Sequence, residues 1–248
     1  MKYNGLDPTT LHAGISIAKE IPTGAPTSQL ETLTGSTGEI VAGRTLKQAE
    51  YIVRINVAGR SREEAWRIRA LLAQWARATD PTPRELEPSH WPGMAYDAVL
   101  KEISPPEFVF GFGVIEVIFA VPRPIAHSIA QSEASGNTSA TINVRGSSYI
   151  RPEITITTRA VSRVEIAVDG KVYAAVNYVF PAGSSLVVAT DPPRVEIVRA
   201  GSIIAANEYV DYTVTDFDAM CKALSPGTRR LSCNQASAIA ARWKEEYL

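Results

Sequence analysis

The chain has 248 residues, of which 45% are apolar and 21% are charged, and its formal net charge at neutral pH is −1. This length accommodates one large or two ordinary domains, and the composition is that of a soluble globular protein. A charge so close to zero excludes a general attraction to nucleic acid or to anionic membranes. No apolar run approaches the ~20 residues of a membrane-spanning helix, and residues 1–5 lack the apolar core of a signal peptide, so we expect folding in a cytoplasm.

The first 48 residues carry weak structural signals. Residues 14–18 alternate between apolar and polar side chains and suit a short strand. Residues 21–48 are rich in Pro, Thr, Ser and Gly, which predicts loops or an extended arm. A segment this long with so few apolar residues is either mobile or packs on another molecule.

A strand and a helix are the clearest predicted elements. Residues 51–57 have strand composition, with the four side chains of one face apolar: Tyr51, Val53, Ile55 and Val57. Residues 61–78 are predicted to form an α-helix, because apolar residues recur at three- and four-residue steps: Ala65, Ile68, Leu72, Trp75 and Ala76. Ser61 and Glu64 have the spacing of a capping box, and Pro81 is expected to end the helix. Strand patterns surround this helix, so it is expected to pack on a sheet.

The remainder of the first half is predicted to be irregular and then extended. The prolines of residues 81–92 favour an irregular surface connection, and residues 94–100 return to extended structure. Residues 108–121 are aromatic and β-branched, which predicts a core strand with a glycine bend. Residues 131–139 are small and polar and are the best linker in the sequence, so we place a first domain at 1–130.

The second half, residues 140–248, has the pattern of a β-sandwich, with short strands at regular spacing and turn signals between them. Asp169-Gly170 is the strongest hairpin signal. For the last segment a helix is the competing interpretation. The expected strands are residues 141–144, 153–158, 164–168, 171–176, 185–190, 194–199 and 237–248.

No constellation of catalytic residues is recognisable. His12, His90 and His127 are each isolated, with no partner at the spacing of metal ligands. Gly111-Phe112-Gly113 lacks the third glycine of a dinucleotide fingerprint and is interpreted as a strand bend. We therefore expect no enzyme, no catalytic residues, no cofactor and no metal.

Two aromatic residues and two thiols are interpreted by their context. Trp75 is assigned to the core, and Trp91, beside Pro92, is the tryptophan expected at the surface. Cys221 and Cys233 are interpreted as reduced thiols, with a bridge across a hairpin as the alternative.

A series of short motifs, in a particular order, suggests a family. Gly-Ser-Thr-Gly at 35–38 precedes the strand at 51–57, and Ser-Arg-Glu-Glu-Ala at 61–65 opens the helix that ends in Leu-Ala-Gln-Trp at 72–75. Tyr-Asp-Ala at 96–98 and Val-Pro-Arg-Pro at 121–124 follow, and Arg-Pro-Glu-Ile at 151–154, Phe-Pro-Ala-Gly at 180–183 and Leu-Ser-Pro-Gly at 224–227 mark the second half. In this order the chain resembles the distal tail proteins, Dit, of long-tailed bacteriophages.

The resemblance implies a mainly β fold with one helix, in which a β-sandwich-like first domain carries the helix and an extended arm, and a galectin-like β-sandwich follows. It implies a ring, usually of six copies, that joins the tail tube protein to the tail hub and anchors receptor-binding proteins. The protein would then be part of the virion tail tip, assembled in the host cytoplasm, with no specific contact to nucleic acid or membrane. The alternative function, from another class, is a carbohydrate-binding β-sandwich module.

Overall fold

The computed structural model describes residues 1–23, 27–32, 39–45, 48–109, 111–190, 193–206, 211–212 and 223–247. Within these residues the chain is mainly β and contains one α-helix, as predicted. It divides into two compact units, Met1–Ala126 and His127–Leu248, which are called unit 1 and unit 2.

Unit 1 contains an antiparallel sheet, one α-helix and a separate hairpin. Its strands are β1 (Lys2–Tyr3), β2 (Ile15–Thr23), β3 (Thr27–Thr32), β4 (Glu39–Thr45), β5 (Ala49–Ala58), β6 (Arg84–Glu87), β7 (Met94–Ile103), β8 (Glu107–Val109) and β9 (Phe112–Val121). The sheet has the order β1-β6-β7-β9-β5-β2, and β8 also pairs with β9. β3 and β4 form a two-stranded sheet of their own. A short 3-10 helix, Pro8–Thr10, follows β1, and α1 (Arg62–Trp75) follows β5.

The core of unit 1 lies between α1 and one face of the sheet. The alternation predicted for β5 is confirmed, because Tyr51, Val53, Ile55 and Val57 are all buried. The predicted apolar face of the helix is buried against them: Ala65, Ile68, Leu72 and Trp75. Fully burying one leucine or isoleucine side chain contributes roughly 1.5–3 kcal/mol, so this packing is the main source of stability for the unit.

Three aromatic rings form the centre of that core. The Tyr3 ring lies 4.7 Å from Phe119 and 5.8 Å from Trp75, and Trp75 lies 5.9 Å from Phe119. The polar atoms of the cluster are satisfied, since the Trp75 indole N–H donates to the Leu6 carbonyl and the Tyr3 hydroxyl donates to the Ala98 carbonyl. The cluster therefore joins β1, α1 and β9.

Helix α1 starts where the sequence predicts and ends earlier. The Ser61 hydroxyl accepts from the Glu64 N–H at 3.3 Å, and the Glu64 carboxylate accepts from the N–H of Arg60, one residue before the cap. At the other end Arg77 adopts a left-handed φ of 51°, and two bonds of a Schellman motif close the helix. These are Ala78 N–H to Ala73 O and Arg77 N–H to Gln74 O. The expected end at residue 78, caused by Pro81, is wrong.

Other expectations for unit 1 need correction. The passage 81–92, expected to be irregular, contains strand β6. The run 108–121 is two strands joined by a hairpin turn at Gly111, whose φ is +86°, instead of one strand with a bend. The strand expected at 14–18 extends to Thr23, and Pro22 is tolerated because β2 lies at the edge of the sheet.

Unit 2 contains two antiparallel sheets, as its strand pattern predicts. Its strands are β11 (Ser132–Gly136), β12 (Ser139–Val144), β13 (Glu153–Thr158), β14 (Val161–Val168), β15 (Lys171–Phe180), β16 (Ser185–Thr190), β17 (Pro193–Arg199), β18 (Ser202–Ala206), β19 (Asp211–Tyr212), β20 (Gly227–Ser232), β21 (Ala236–Trp243) and β22 (Glu246–Tyr247); β10 (Ala126–Ser128) spans the division between the units. One sheet has the order β11-β21-β13-β16-β17-β18 and the other β12-β20-β14-β15-β19. Both contribute to one apolar core: Ile142, Ile154, Ile156, Ile166, Leu186, Ile197, Leu231 and Ile239.

Several details of unit 2 test the sequence predictions. Asp169 and Gly170 both have positive φ, 51° and 78°, so the predicted hairpin turn between β14 and β15 is confirmed. The last segment is a strand, with Ile239 and Trp243 buried. Cys233 is buried, which raises the pKa of its thiol, whereas Cys221 lies outside the described residues.

The linker expected at residues 131–139 is wrong. It contains all of β11, which pairs with β21, and the first residue of β12. Its small residues serve close packing, since a side chain on Gly136 would place its Cβ 1.9 Å from the Ser139 carbonyl oxygen.

The buried carboxylate of Glu245 holds the C-terminal end of unit 2 in place through hydrogen bonds. Glu245 is 6% exposed and accepts hydrogen bonds from the backbone N–H groups of Arg145 and Gly146 and from the Trp243 indole N–H, at 2.9–3.0 Å. These three donors satisfy a charge that would otherwise be costly to bury. The segment around Gly146 is therefore held against the strand end.

We predict that Ser61→Ala lowers the free energy of unfolding of unit 1 by about 1 kcal/mol, the usual cost of losing a serine N-cap. Urea unfolding followed by tryptophan fluorescence measures this, because three of the four tryptophans lie in unit 1: Trp66, Trp75 and Trp91. Ser16→Ala, at an exposed position of β2, is the matched control and should leave the midpoint unchanged. An equal effect of both substitutions would argue against the cap.

We also predict that Glu245→Gln destabilises unit 2 by about 1–3 kcal/mol, because an amide cannot accept all three hydrogen bonds and leaves buried donors unpaired. Glu133→Gln is the control, since Glu133 is 60% exposed and pairs with Arg242 at the surface. Thermal unfolding of both variants distinguishes them. Equal melting temperatures would mean that the buried carboxylate contributes no more than a surface one.

Candidate functional site

The three histidines lie at separate places in the fold. In the part of the chain that the structure describes, no group of three or more His, Cys, Asp or Glu side chains is arranged to hold a metal ion. His12 lies 3.5 Å from Glu64 at the start of α1, His90 lies 3.9 Å from Glu20, and His127 is buried in unit 2. No helix among the described residues is long and apolar enough to cross a membrane.

The arm expected at residues 21–48 is a β-hairpin. β2 leads into β3, β3 pairs antiparallel with β4 from Thr27↔Thr45 to Thr32↔Glu39, and β4 returns to β5. Within the described residues β3 and β4 pair only with each other, so the hairpin is not part of the main sheet. The Gly-Ser-Thr-Gly motif at 35–38 lies outside the described residues.

The base of this hairpin arm is held by the main sheet. β2 pairs with β5 up to Thr23↔Glu50. There the Thr23 hydroxyl donates to the Glu50 carbonyl at 2.8 Å and accepts from the Glu50 N–H at 3.2 Å. The Glu50 carboxylate also pairs with Lys101 of β7. The two strands that carry the arm therefore start from a defined register.

Glu20 adds a buried polar contact near the same base. Its side chain is 6% exposed and accepts from the Tyr51 hydroxyl at 2.6 Å and from the hydroxyl and N–H of Ser89. Burial alone would raise the pKa of Glu20, but the hydrogen bonds from Ser89 and Tyr51 outweigh it and hold that pKa below its usual value. Burial, together with the hydrogen bond to Glu20, raises the pKa of Tyr51 far above its usual range. Glu20 is thus ionised at neutral pH and joins β2, β5 and the segment after β6.

An exposed apolar patch lies at the opposite end of the sheet. There β2 pairs with β5 at Ile15↔Val57, and β8 pairs with β9 beside the Gly111 turn. Three side chains of that hairpin form the tip patch, with exposures of 65%, 71% and 37%: Val109, Phe112 and Val114. They line a cavity of about 580 Å³ together with Ser16, Asn56 and Ala58. Exposed apolar residues clustered in this way indicate an interaction surface.

The base of the arm and the tip patch lie at opposite ends of strand β5. β5 has ten residues and runs from the arm base at Glu50 to Ala58, which pairs with Phe112 of the tip patch. At about 3.3 Å per residue, the distance along β5 from the base of the arm to the tip patch is roughly 26 Å. Between them the solvent-facing side carries the Arg54–Glu116 ion pair, with 2.7 Å between Nε and Oε1.

The sequence missed the tip patch and one exposed tryptophan. Residues 108–121 were expected to be a core strand, whereas the turn at Gly111 turns Val109 and Phe112 to the surface. Gly111 within the apolar run was the available signal. Trp75 is buried as predicted, but Trp66 on α1 is 45% exposed, and Trp91 is half-buried instead of exposed.

The tryptophan of unit 2 is not exposed for carbohydrate stacking. The one tryptophan of its sequence, Trp243, is 5% exposed and hydrogen-bonded to Glu245. A cavity of about 520 Å³ lies beside the Asp169 turn, where Arg229 is 3.2 Å from the Asp169 carboxylate. Asp169 and Arg229 are therefore paired with each other, and Lys171 also lines this cavity.

Comparison with known proteins finds structures with a similar fold. The sequence matches no family model, and no curated protein sequence is detectably similar to it. The structure is similar to the Dit protein (gp 19.1) of phage SPP1, described as a paradigm of the hub adsorption apparatus in phages that infect Gram-positive bacteria. The TM-score is 0.79 at 16% identity, over 100% of this chain and 98% of that one.

Two weaker similarities are to chains of the phage P2 baseplate in its activated conformation. With calcium the TM-score is 0.53 at 9% identity, and with strontium it is 0.51 at 11% identity, each over 94% of this chain and 90% of the other. The Dit-like fold that the order of motifs implies is therefore confirmed.

We predict that Glu20→Gln lowers the unfolding free energy of unit 1 by about 1–2 kcal/mol near neutral pH, because the hydrogen bonds to an ionised acceptor are lost. A carboxyl group whose pKa is lowered on folding stabilises above its unfolded pKa, and this stability is lost as the pH falls through its folded pKa.

The difference between Glu20→Gln and the parent protein should therefore shrink once the pH drops below the ordinary glutamate value of 4.5. Urea unfolding over a series of pH values measures it, and Glu102→Gln, at an exposed position of β7, is the control. A difference that stays constant into acid would contradict an ionised Glu20.

Proposed function

We propose that the protein is a structural component of a phage tail tip, in which several copies form a ring that joins the tail tube to the hub. The observation that carries this proposal is the similarity to SPP1 Dit over the full length of both chains. The ring is expected to contain six copies. The chain would act in the virion as an assembly protein and not as an enzyme.

The geometry of unit 1 supports self-association through that unit. An arm leaves one end of the sheet, and an exposed apolar patch lies at the other end. Two different surfaces at opposite ends suit a head-to-tail contact, which generates a ring when the rotation between copies closes. The net charge of −1 removes the long-range repulsion that would oppose the packing of several copies.

The partners follow from the same proposal. Unit 1 would contact the neighbouring copies, the tail tube protein and the tail hub, and unit 2 would carry contacts to receptor-binding or other tip proteins. The contacts with tube and hub add to ring stability by mass action, so association of the isolated protein depends on concentration. The carbohydrate-binding alternative has no specific observation in its favour.

We predict that the full-length protein associates with increasing concentration, and that Phe112→Asp in the tip patch weakens this association by about tenfold or more. An aspartate at a buried interface leaves an unpaired charge. Replacing residues 27–45 by a short flexible linker should weaken it similarly. Multi-angle light scattering over a concentration series measures the effect.

Val179→Asp is the matched control, because Val179 is 78% exposed and lies in unit 2. It should leave association unchanged. Association that survives both changes in unit 1 and is lost in Val179→Asp would assign the contact to unit 2. A full-length protein that stays monomeric at every concentration would count against self-association.

A further inference from the structure

The outward half of α1 carries a group of arginines around an exposed tryptophan. Arg62, Trp66 and Arg69 follow one another at four- and three-residue steps and so lie along one side of the helix. Arg62 is exposed, whereas Arg67 lies about 100° further round the helix than Trp66 and does not belong to this group. Arg62, Trp66 and Arg69, the Arg–Trp face, border the buried row formed by Ala65, Ile68, Leu72 and Trp75.

Two members of the face are held in position. The Arg69 guanidinium lies 5.6 Å from the centre of the Trp66 ring and donates to the carbonyl oxygens of Ile103 and Ser104, each at 3.0 Å. Those carbonyls have no formal charge, so the positive charge of Arg69 remains at the surface. Trp66 is 45% exposed beside it, which gives a planar apolar surface next to a fixed cation.

The face has more positive charge than its surroundings neutralise. Residues 60–80 contain five arginines and three acidic residues, in a chain whose overall charge is −1. Two of those acids are engaged, Glu64 by the Arg60 N–H and His12, and Asp80 by Arg77 and Arg84. Within the described residues no ion pair joins the side chain of Arg62 or Arg69 to an acidic side chain.

The geometry points to a second interaction surface, in which the Arg–Trp face docks a carboxylate-rich segment of another protein. Arginine guanidinium groups match carboxylates in bidentate pairs, and tryptophan and arginine are the residues most often found at the centre of protein interfaces. This surface lies on the helix and is distinct from the arm and the tip patch, so the inference does not depend on ring formation.

A polypeptide fits this face better than nucleic acid does. Proteins that hold a nucleic acid strand usually present a continuous basic groove with several aromatic platforms. Here Trp66 is the one aromatic residue of the face, and Glu63 lies beside Arg62. The carboxylate of Glu63 would repel a phosphate backbone, whereas a partner with separated carboxylates can avoid it.

The inference is tested on the full-length protein with a fluorescently labelled glutamate homopolymer of about twenty residues as the probe. We expect fluorescence anisotropy to report saturable binding at low salt that disappears at high salt, because exposed ion pairs are screened over a few ångströms in concentrated salt. The double substitution R62Q/R69Q should weaken binding by about tenfold, since each exposed ion pair contributes a few-fold in affinity. Bound peptide should also protect Trp66 from acrylamide quenching, a protection that Trp66→Phe abolishes.

The control is R159Q/R199Q, which removes the same charge from two exposed positions of unit 2. It should bind the peptide like the parent protein. The single substitution Arg62→Gln serves if the double variant unfolds, as circular dichroism would reveal. Three results would overturn the inference: no binding by the parent protein, equal losses in R62Q/R69Q and in the control, or tighter binding of duplex DNA of similar length through the same arginines.

Discussion

Packing of α1 against β5 and β9 is the interaction on which unit 1 depends. The ring contacts among Tyr3, Trp75 and Phe119 join the first strand, the helix and the central strand pair. One face of the sheet and one face of the helix are therefore buried in the core. What remains for partners is the outer side of the sheet with its two ends, and the arginine-rich side of the helix.

Each unit has a buried carboxylate that accepts several hydrogen bonds. Glu20 joins the edge strand β2 to Tyr51 and Ser89, near the start of the arm. Glu245 receives three donors at the end of unit 2, where a Cβ on Gly146 would meet the Glu246 carbonyl oxygen at 2.1 Å. In each case a charge is buried only where several donors converge on it, so the surrounding backbone has one accessible arrangement.

Sequence periodicity predicted the elements that bury only one of their faces in the core. The alternation in β5, the apolar face of α1, and the Asp169-Gly170 hairpin are local patterns with a direct physical meaning. The helix end was missed because Arg77, and not glycine, adopts the left-handed conformation. Strand β11 was missed because its small polar residues have linker composition, although they pair along β21. Tertiary pairing decided both cases, and local composition does not reveal it.

The tip patch is another feature that local composition does not reveal, and it lies at the candidate site. The apolar residues of 108–121 predict a buried strand with a glycine bend, and the turn at Gly111 converts that run into a hairpin that exposes Phe112. The arm is the complementary case, since a segment whose composition predicts loops or an extended arm contains two strands, β3 and β4, that pair with each other.

Photo-crosslinking from the tip patch tests the central claim most directly. Phe112 is replaced by a benzophenone-bearing phenylalanine analogue in the full-length protein, which is irradiated at a concentration where it associates. The head-to-tail account predicts crosslinks between copies, from position 112 of one copy to residues 27–45 of the next, identified by mass spectrometry of mixed isotope-labelled protein. Crosslinks between copies that fall only in unit 2, or from position 112 to position 112 as in a two-fold dimer, would contradict it.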